Sequence, residues 1–167
     1  LDYIKELLVN QVDGNLWICS HGVFGAGGLY RYDGTKWVSM YTSPYTHTLV
    51  KNIILDQSAE NLETQHIWIT DHHTGLWESK SGGQEWSKLH TDGEAIALNP
   101  LKPQTIYSGS PDGVSKTNDS GENWQIINEG LSGVIPSFLG IDPTNPSIVY
   151  GSAVGIFGSS NGGNSWQ

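Results

Sequence analysis

The pattern [S/T]-x-[D/N]-x-G-x-x-W recurs along this chain and confines it to a repeat architecture. It is complete at residues 117–124, Thr-Asn-Asp-Ser-Gly-Glu-Asn-Trp, and at residues 159–166, Ser-Ser-Asn-Gly-Gly-Asn-Ser-Trp. Residues 79–86 repeat the spacing with Ser81 in the acidic or amide position, and residues 30–37 are a degraded copy that keeps Gly34 and Trp37. The physical content of the box is a tight hairpin turn. Asp119 or Asn161 can accept backbone N–H groups of its own loop, Gly121 or Gly163 permits positive φ, and the tryptophan opens the next strand as a large apolar residue.

Three further elements recur in register with the box. The first is an apolar triplet closed by Asn or Asp: Leu7-Leu8-Val9-Asn10, Ile53-Ile54-Leu55-Asp56, Ile96-Ala97-Leu98-Asn99 and Leu139-Gly140-Ile141-Asp142, in steps of 46, 43 and 43 residues. The second places a large aromatic beside β-branched neighbours, at Trp17, Trp68, Tyr107 and Tyr150, which predicts central strands whose rings pack between sheets. The third begins with Gly28, Gly75, Gly113 and Gly155 and leads into the box. A period near 43 with four strands per unit is that of propeller blades, and no stretch shows helical periodicity, so the chain reads as all-β.

These boxes resemble the Asp-box, or BNR, repeat of β-propellers, over nearly the whole chain. The array is similar to the repeats of family 74 glycoside hydrolases and sortilin-type receptors, and residues 13–18 with 28–34 look like the sensor propellers of two-component regulators. The resemblance implies four blade-like repeats, at about 6–41, 51–90, 95–129 and 137–167, each a four-stranded antiparallel sheet within a single array. It also implies that the box lies on the rim away from the ligand face and is scaffold. Four blades are close to the minimum for a ring. The expectation is a larger ring, completed by further blades of a longer chain or by self-association, with a self-closing ring as the alternative.

Composition narrows the partners. The formal net charge of −9, with eight Lys and Arg against 17 Asp and Glu, disfavours nucleic acid. The single cysteine, Cys19, permits no intrachain disulfide and reads as a small buried residue. No apolar run approaches the length of a membrane span, so no membrane insertion is expected. The propeller resemblance points to an extracellular or periplasmic protein.

Function is sought in the loops from second to third strand and from one blade to the next, which share one face. The richest belong to the first two blades. Asp71-His72-His73 is the most chemical-looking triplet, and His21 and His47 fall on the same face. Adjacent loop histidines lack the fixed i, i+4 geometry of a helical metal site, so neither metal nor cofactor is expected. Tyr41 and Tyr45, with His47, suit a platform for the apolar face of a sugar. The expected role is therefore binding or scaffolding, with a glycan or protein ligand held by Tyr41, Tyr45, His47, His21, Asp71, His72 and His73.

The enzymatic alternative is a fragment of a family 74-like hydrolase; a sensor domain is the third reading. A glycosidase needs two carboxylates at a defined separation, and Asp71 and Asp112 are the second-to-third-loop carboxylates, neither marked by its neighbours. Asp-box sialidases clamp their substrate with three arginines. Only Arg31 is present here, which argues against that activity.

Overall fold

The computed structural model describes residues 3–22, 26–90 and 93–167. Leu1 and Asp2, and residues 23–25 and 91–92, which fall in the stretches between second and third strands and between repeats where function is sought, lie outside the described residues. The chain divides into two compact units, residues 1–91 and 92–167. Unit 1 holds two four-stranded antiparallel sheets, each in sequence order: β1 (Tyr3–Val9), β2 (Leu16–His21), β3 (Ala26–Tyr32) and β4 (Trp37–Thr46), then β5 (Val50–Leu55), β6 (Ile67–Asp71), β7 (Gly75–Ser79) and β8 (Ser87–His90). Unit 2 holds β9 (Ala95–Leu98), β10 (Ile106–Ser110), β11 (Gly113–Thr117) and β12 (Gln125–Ile126), followed by a three-stranded sheet of β13 (Phe138–Ile141), β14 (Val149–Ser152) and β15 (Ile156–Ser159). All pairings are between chain neighbours and antiparallel, as local hairpins require. Among the described residues the one helical element is a single 3-10 turn at Leu62–Thr64, and no helix is long and apolar enough to cross a membrane.

The box turns explain why strands follow one another at this spacing. In each of the three better copies the first hydroxyl accepts the N–H of the fifth residue: Ser79 from Gly83 at 2.8 Å, Thr117 from Gly121 at 3.1 Å and Ser159 from Gly163 at 2.9 Å. The third residue accepts the N–H of the seventh at 2.9 Å in all three, whether it is Ser81, Asp119 or Asn161. Serine therefore replaces the acid without loss of the bond. Successive positive φ angles close the turn, as at Ser120 (61°) and Gly121 (97°), the geometry that matches strand twist in two-residue hairpins. β8 and β12 begin one residue after the tryptophans.

Asp119 and Asp33 hold these turns as acceptors of hydroxyl and amide donors, which brings each carboxyl down to about 2. A carboxyl depressed in the folded state contributes stability above its unfolded value near 3.9 and loses it as the pH falls toward 2. The thermal midpoint should therefore drop between about pH 4 and pH 2. Asp119→Ala should lower the midpoint at neutral pH yet converge with the wild type at pH 2, a comparison scanning calorimetry makes directly.

The core of unit 1 gathers Trp17, Cys19, Leu29, Tyr41, Val50, Ile53, Leu55, Ile67 and Ile69; that of unit 2 gathers Tyr107, Val114, Ile127, Leu139, Val149, Phe157 and Trp166. Trp17, Trp68 and Tyr107 are buried as the central-strand rings are expected to be, whereas Tyr150 is 48% exposed. The first apolar triplet, in β1, is covered on one face only. Leu7 and Val9 are exposed on one face while Leu8 packs inward.

Candidate functional site

The predicted loop face is an end of each sheet, opposite the box turns. In unit 1 it is built by the β2 terminus, the β6–β7 turn, the β4–β5 connection and the start of β1. Backbone bonds lock these together. His21 bridges Leu49, the His72 N–H donates to the Leu49 carbonyl at 2.9 Å, and the Gly22 N–H donates to Thr48 at 3.0 Å. Two neighbouring sheets thus present their tips as one continuous strip.

Two residues expected to meet ligand are internal instead. β4 continues through Thr46, with Leu29 opposite Tyr41 and Ala26 opposite Thr46, so residues 41–46 of the expected connection 41–48 between the first two repeats are strand. Pro44 fits because β4 is an outer strand needing no second ladder partner. Alternation along the strand turns Tyr41 into the core, where its ring lies 5.8 Å from Trp77 and 5.3 Å from Trp86. Burial pushes the Tyr41 phenol well above the usual tyrosine range. A ring so enclosed cannot stack on a sugar, and the two-tyrosine platform is corrected to Tyr45 alone.

Asp71 is likewise fully buried. Its carboxylate accepts the N–H of His73 at 3.1 Å, the N–H of Thr74 at 3.2 Å and the Tyr41 hydroxyl at 3.2 Å, while the Trp77 indole donates to Thr74 at 2.7 Å. Asp71 is the internal anchor of the turn that projects His72 and His73. Its bonds are made within the protein, so its place as a ligand-contacting carboxylate is corrected too.

Of the remaining residues, Tyr45, His73, His72 and His21 are brought together. Tyr45, 56% exposed, meets His73 edge-on at 6.2 Å, and His73 lies 4.8 Å from His72. His21 lies 6.0 Å from Tyr3 and lines a depression with Tyr3, Ile4, Lys5 and Leu49. His47 is exposed at the β4–β5 connection, at φ 57°. Burial first, then the charges of Lys51, His73 and His21, hold His72 below its ordinary imidazole value, with Asp71 opposing. Lys51 in turn is lowered by burial and by Lys5.

Tyr3, Lys5 and Lys51 were not among the residues expected from sequence. The available signal was position: each lies in an inner strand that runs beyond its apolar triplet toward this end, as Tyr3-Ile4-Lys5 and Val50-Lys51-Asn52.

Among the described residues no group of three His, Cys, Asp or Glu is placed to hold a metal ion. Asp112, the other loop carboxylate weighed for hydrolysis, is exposed in the β10–β11 turn of unit 2. Burial raises the proton affinity of the Glu6 carboxyl, although the Ile53 N–H donates to it at 3.0 Å and opposes the rise.

Antiparallel sheets in strict sequence order, with box turns at one end and unequal loops at the other, define an all-β protein of propeller-type sheets. Solved structures share this fold. A GH74 enzyme of Niastella koreensis matches 99% of this chain and 29% of its own at TM-score 0.74 and 16% identity. An ancestral GH74 enzyme matches 99% of this chain and 24% of its own at TM-score 0.73 and 19% identity. YCF48 bound to D1 peptide matches at TM-score 0.51 and 15% identity, over 99% of this chain and 80% of that one. The chain thus spans less than a third of the length of either GH74 enzyme. No protein-family model and no curated protein matches it.

Proposed function

We propose that this chain is an Asp-box propeller module that binds a glycan on the loop end of unit 1, outside the cytoplasm. The carrying observation is the exposed Tyr45 ring set edge-on against His73, beside His72, on a turn anchored internally by Asp71. A flat aromatic face with imidazole donors alongside suits a pyranose, whose apolar face stacks while its hydroxyls hydrogen-bond. The anchor supports this reading because it holds the turn rigid at no cost to the exposed rings, which is what a preorganised binding surface needs.

A second reading, a fragment of a family 74-like hydrolase, is favoured by the fold shared with the two GH74 enzymes. Hydrolysis by that route needs an acid and a base flanking one bond. Asp71 is engaged by three donors and Glu6 by the Ile53 N–H, so binding is the stronger reading.

A glycan array followed by calorimetry on the best saccharide tests the proposal. Tyr45→Ala should weaken binding about fivefold, the equivalent of roughly 1 kcal/mol for one aromatic contact. Binding of no saccharide, or equal binding by wild type and Tyr45→Ala, would remove the reading.

A further inference from the structure

We infer that unit 2 carries a site for the phosphate monoester of a small molecule, in the cleft at its box end, with Lys102 and Lys116 supplying the charge. The cleft has a volume of about 640 Å³ and is walled by the β9–β10 turn, the start of β10, the end of β11 and the corresponding turns of the last repeat. Leu101, Pro146 and the Tyr107 ring give it an apolar side; its other groups are amides, hydroxyls and ammoniums, and no carboxylate lines it. It is separate from the loop end of unit 1 and does not rest on the glycan reading.

The other repeats show what is unusual at Lys116. In every sheet the central-strand aromatic stands opposite one residue of the third strand: Trp17 opposite Arg31, Trp68 opposite Glu78, Tyr107 opposite Lys116 and Tyr150 opposite Gly158. In the first two sheets the turn before the second strand answers the side chain at that position, Asp13 meeting Arg31 at 3.0 Å and His66 meeting Glu78 at 2.7 Å. In the third sheet the same turn offers Lys102, Gln104 and Thr105, so a second positive group replaces the partner. The Lys116 ammonium instead reaches the Gly162 carbonyl at 2.9 Å and lies 5.1 Å over the Tyr107 ring, neither of which neutralises it. Asp119 and Asp142, in the adjoining turns, accept their own turns' N–H groups, from Asn123 at 2.9 Å and from Thr144 at 2.8 Å.

The cleft is preorganised and rich in donors. Backbone bonds fix two of its walls, the Ser120 N–H donating to the Gln104 carbonyl at 2.9 Å and the Gly162 N–H to the Ser147 carbonyl at 2.8 Å. The Tyr107 hydroxyl donates to the Gly162 carbonyl at 2.9 Å and so holds the last box turn beside Lys116. Asn99 and Asn118 spend their side-chain oxygens on the Leu101 N–H at 2.9 Å and the Thr105 hydroxyl at 3.2 Å, which leaves their NH2 groups to donate to an oxyanion. Burial holds the Lys116 ammonium below its ordinary value, and an anion beside it offsets that desolvation.

The class of ligand follows from charge and size. Two ammonium groups match the charge of about −1.5 to −2 that a phosphate monoester carries near neutral pH, and lysine binds phosphate as a compact point charge. A net charge of −9 opposes the approach of a long polyanion, whereas a small molecule meets mainly the two lysines of the cleft. The volume leaves room for a hexose-sized body against Leu101 and Pro146.

Calorimetry at physiological ionic strength with glucose 6-phosphate, inorganic phosphate, glucuronate and glucose tests this. Glucose 6-phosphate should bind about tenfold or more tightly than glucose or glucuronate. Inorganic phosphate binding as tightly as the ester would make free phosphate the source, and weaker phosphate would make it an ester; either result upholds the shared chemistry. Lys102→Gln, at an exposed side chain, and Lys116→Gln should each weaken glucose 6-phosphate about fivefold or more, Lys116→Arg should keep most of the affinity, and Lys88→Gln, the same charge change in unit 1, should keep all of it. Thermal midpoints establish which variants fold, and should Lys116→Gln not fold, Lys102→Gln decides alone. Binding of neither phosphate, glucose or glucuronate binding as well as glucose 6-phosphate, or an affinity that Lys102→Gln leaves unaltered would each overturn the assignment.

Discussion

Trp166→Ala should destabilise unit 2 by about 3–5 kcal/mol, while Trp37→Ala, the same box position in the degraded copy, should cost about 1 kcal/mol or less. Trp166 is 5% exposed, its ring stands edge-on to Phe157 at 5.4 Å, and its indole donates to the Ile127 carbonyl at 2.7 Å. Truncation would open a cavity and strand that carbonyl, and both losses count when total stability is only some 5–15 kcal/mol. Trp37 is 39% exposed and lies against Tyr32 at the surface. Trp86 belongs with Trp166, because its indole donates to the Met40 carbonyl of the preceding sheet at 2.8 Å. Denaturant unfolding of both variants checks the contrast. Equal destabilisation would mean that burial and the sheet-to-sheet indole bond are not what make a box tryptophan matter.

Gln65→Leu should cost roughly 2–4 kcal/mol, because it leaves two buried groups without partners at about 1–3 kcal/mol each. Asn10 and Gln65 are both fully buried and exchange side-chain amide bonds of 2.7 and 2.9 Å between the first and second sheets of unit 1. Gln65 also donates to the Asp56 carbonyl at 2.9 Å, and Asn10 accepts the Val12 N–H at 3.1 Å. The pair closes the box end of those sheets as the Leu49 bridge closes the other. Asn10→Leu/Gln65→Leu should cost less than the two single changes summed, by about 1 kcal/mol or more, since the mutual bond can be lost only once. A double-mutant cycle measures this; strict additivity would show that the amides do not act as a pair.

The box and the strand order were determined by sequence alone. A hydroxyl, an acceptor side chain and a glycine at fixed offsets satisfy one another within eight residues, so Ser79 to Trp86, residues 117–124 and residues 159–166 close the same turn wherever they stand. Local chemistry of that kind survives translation along the chain, and the antiparallel pairing of neighbours follows from it. The loop end was legible in part: His21, His47, His72 and His73 fall on one face because the strand count sends alternate turns there.

What only the tertiary structure decided was which side chains on that face look outward. Tyr41 and Asp71 appear in sequence as loop residues beside Tyr45 and His72, yet the extension of β4 puts Tyr41 inside and the turn folds Asp71 back upon it. Lys5 and Lys51 sit in inner strands 46 residues apart and become neighbours because two sheets pack side by side within unit 1. The difference has a physical source: a turn is set by bonds among residues a few positions apart, whereas the inward or outward face of a strand residue depends on where its pairing starts and where its bulges fall, and one residue of register reverses it.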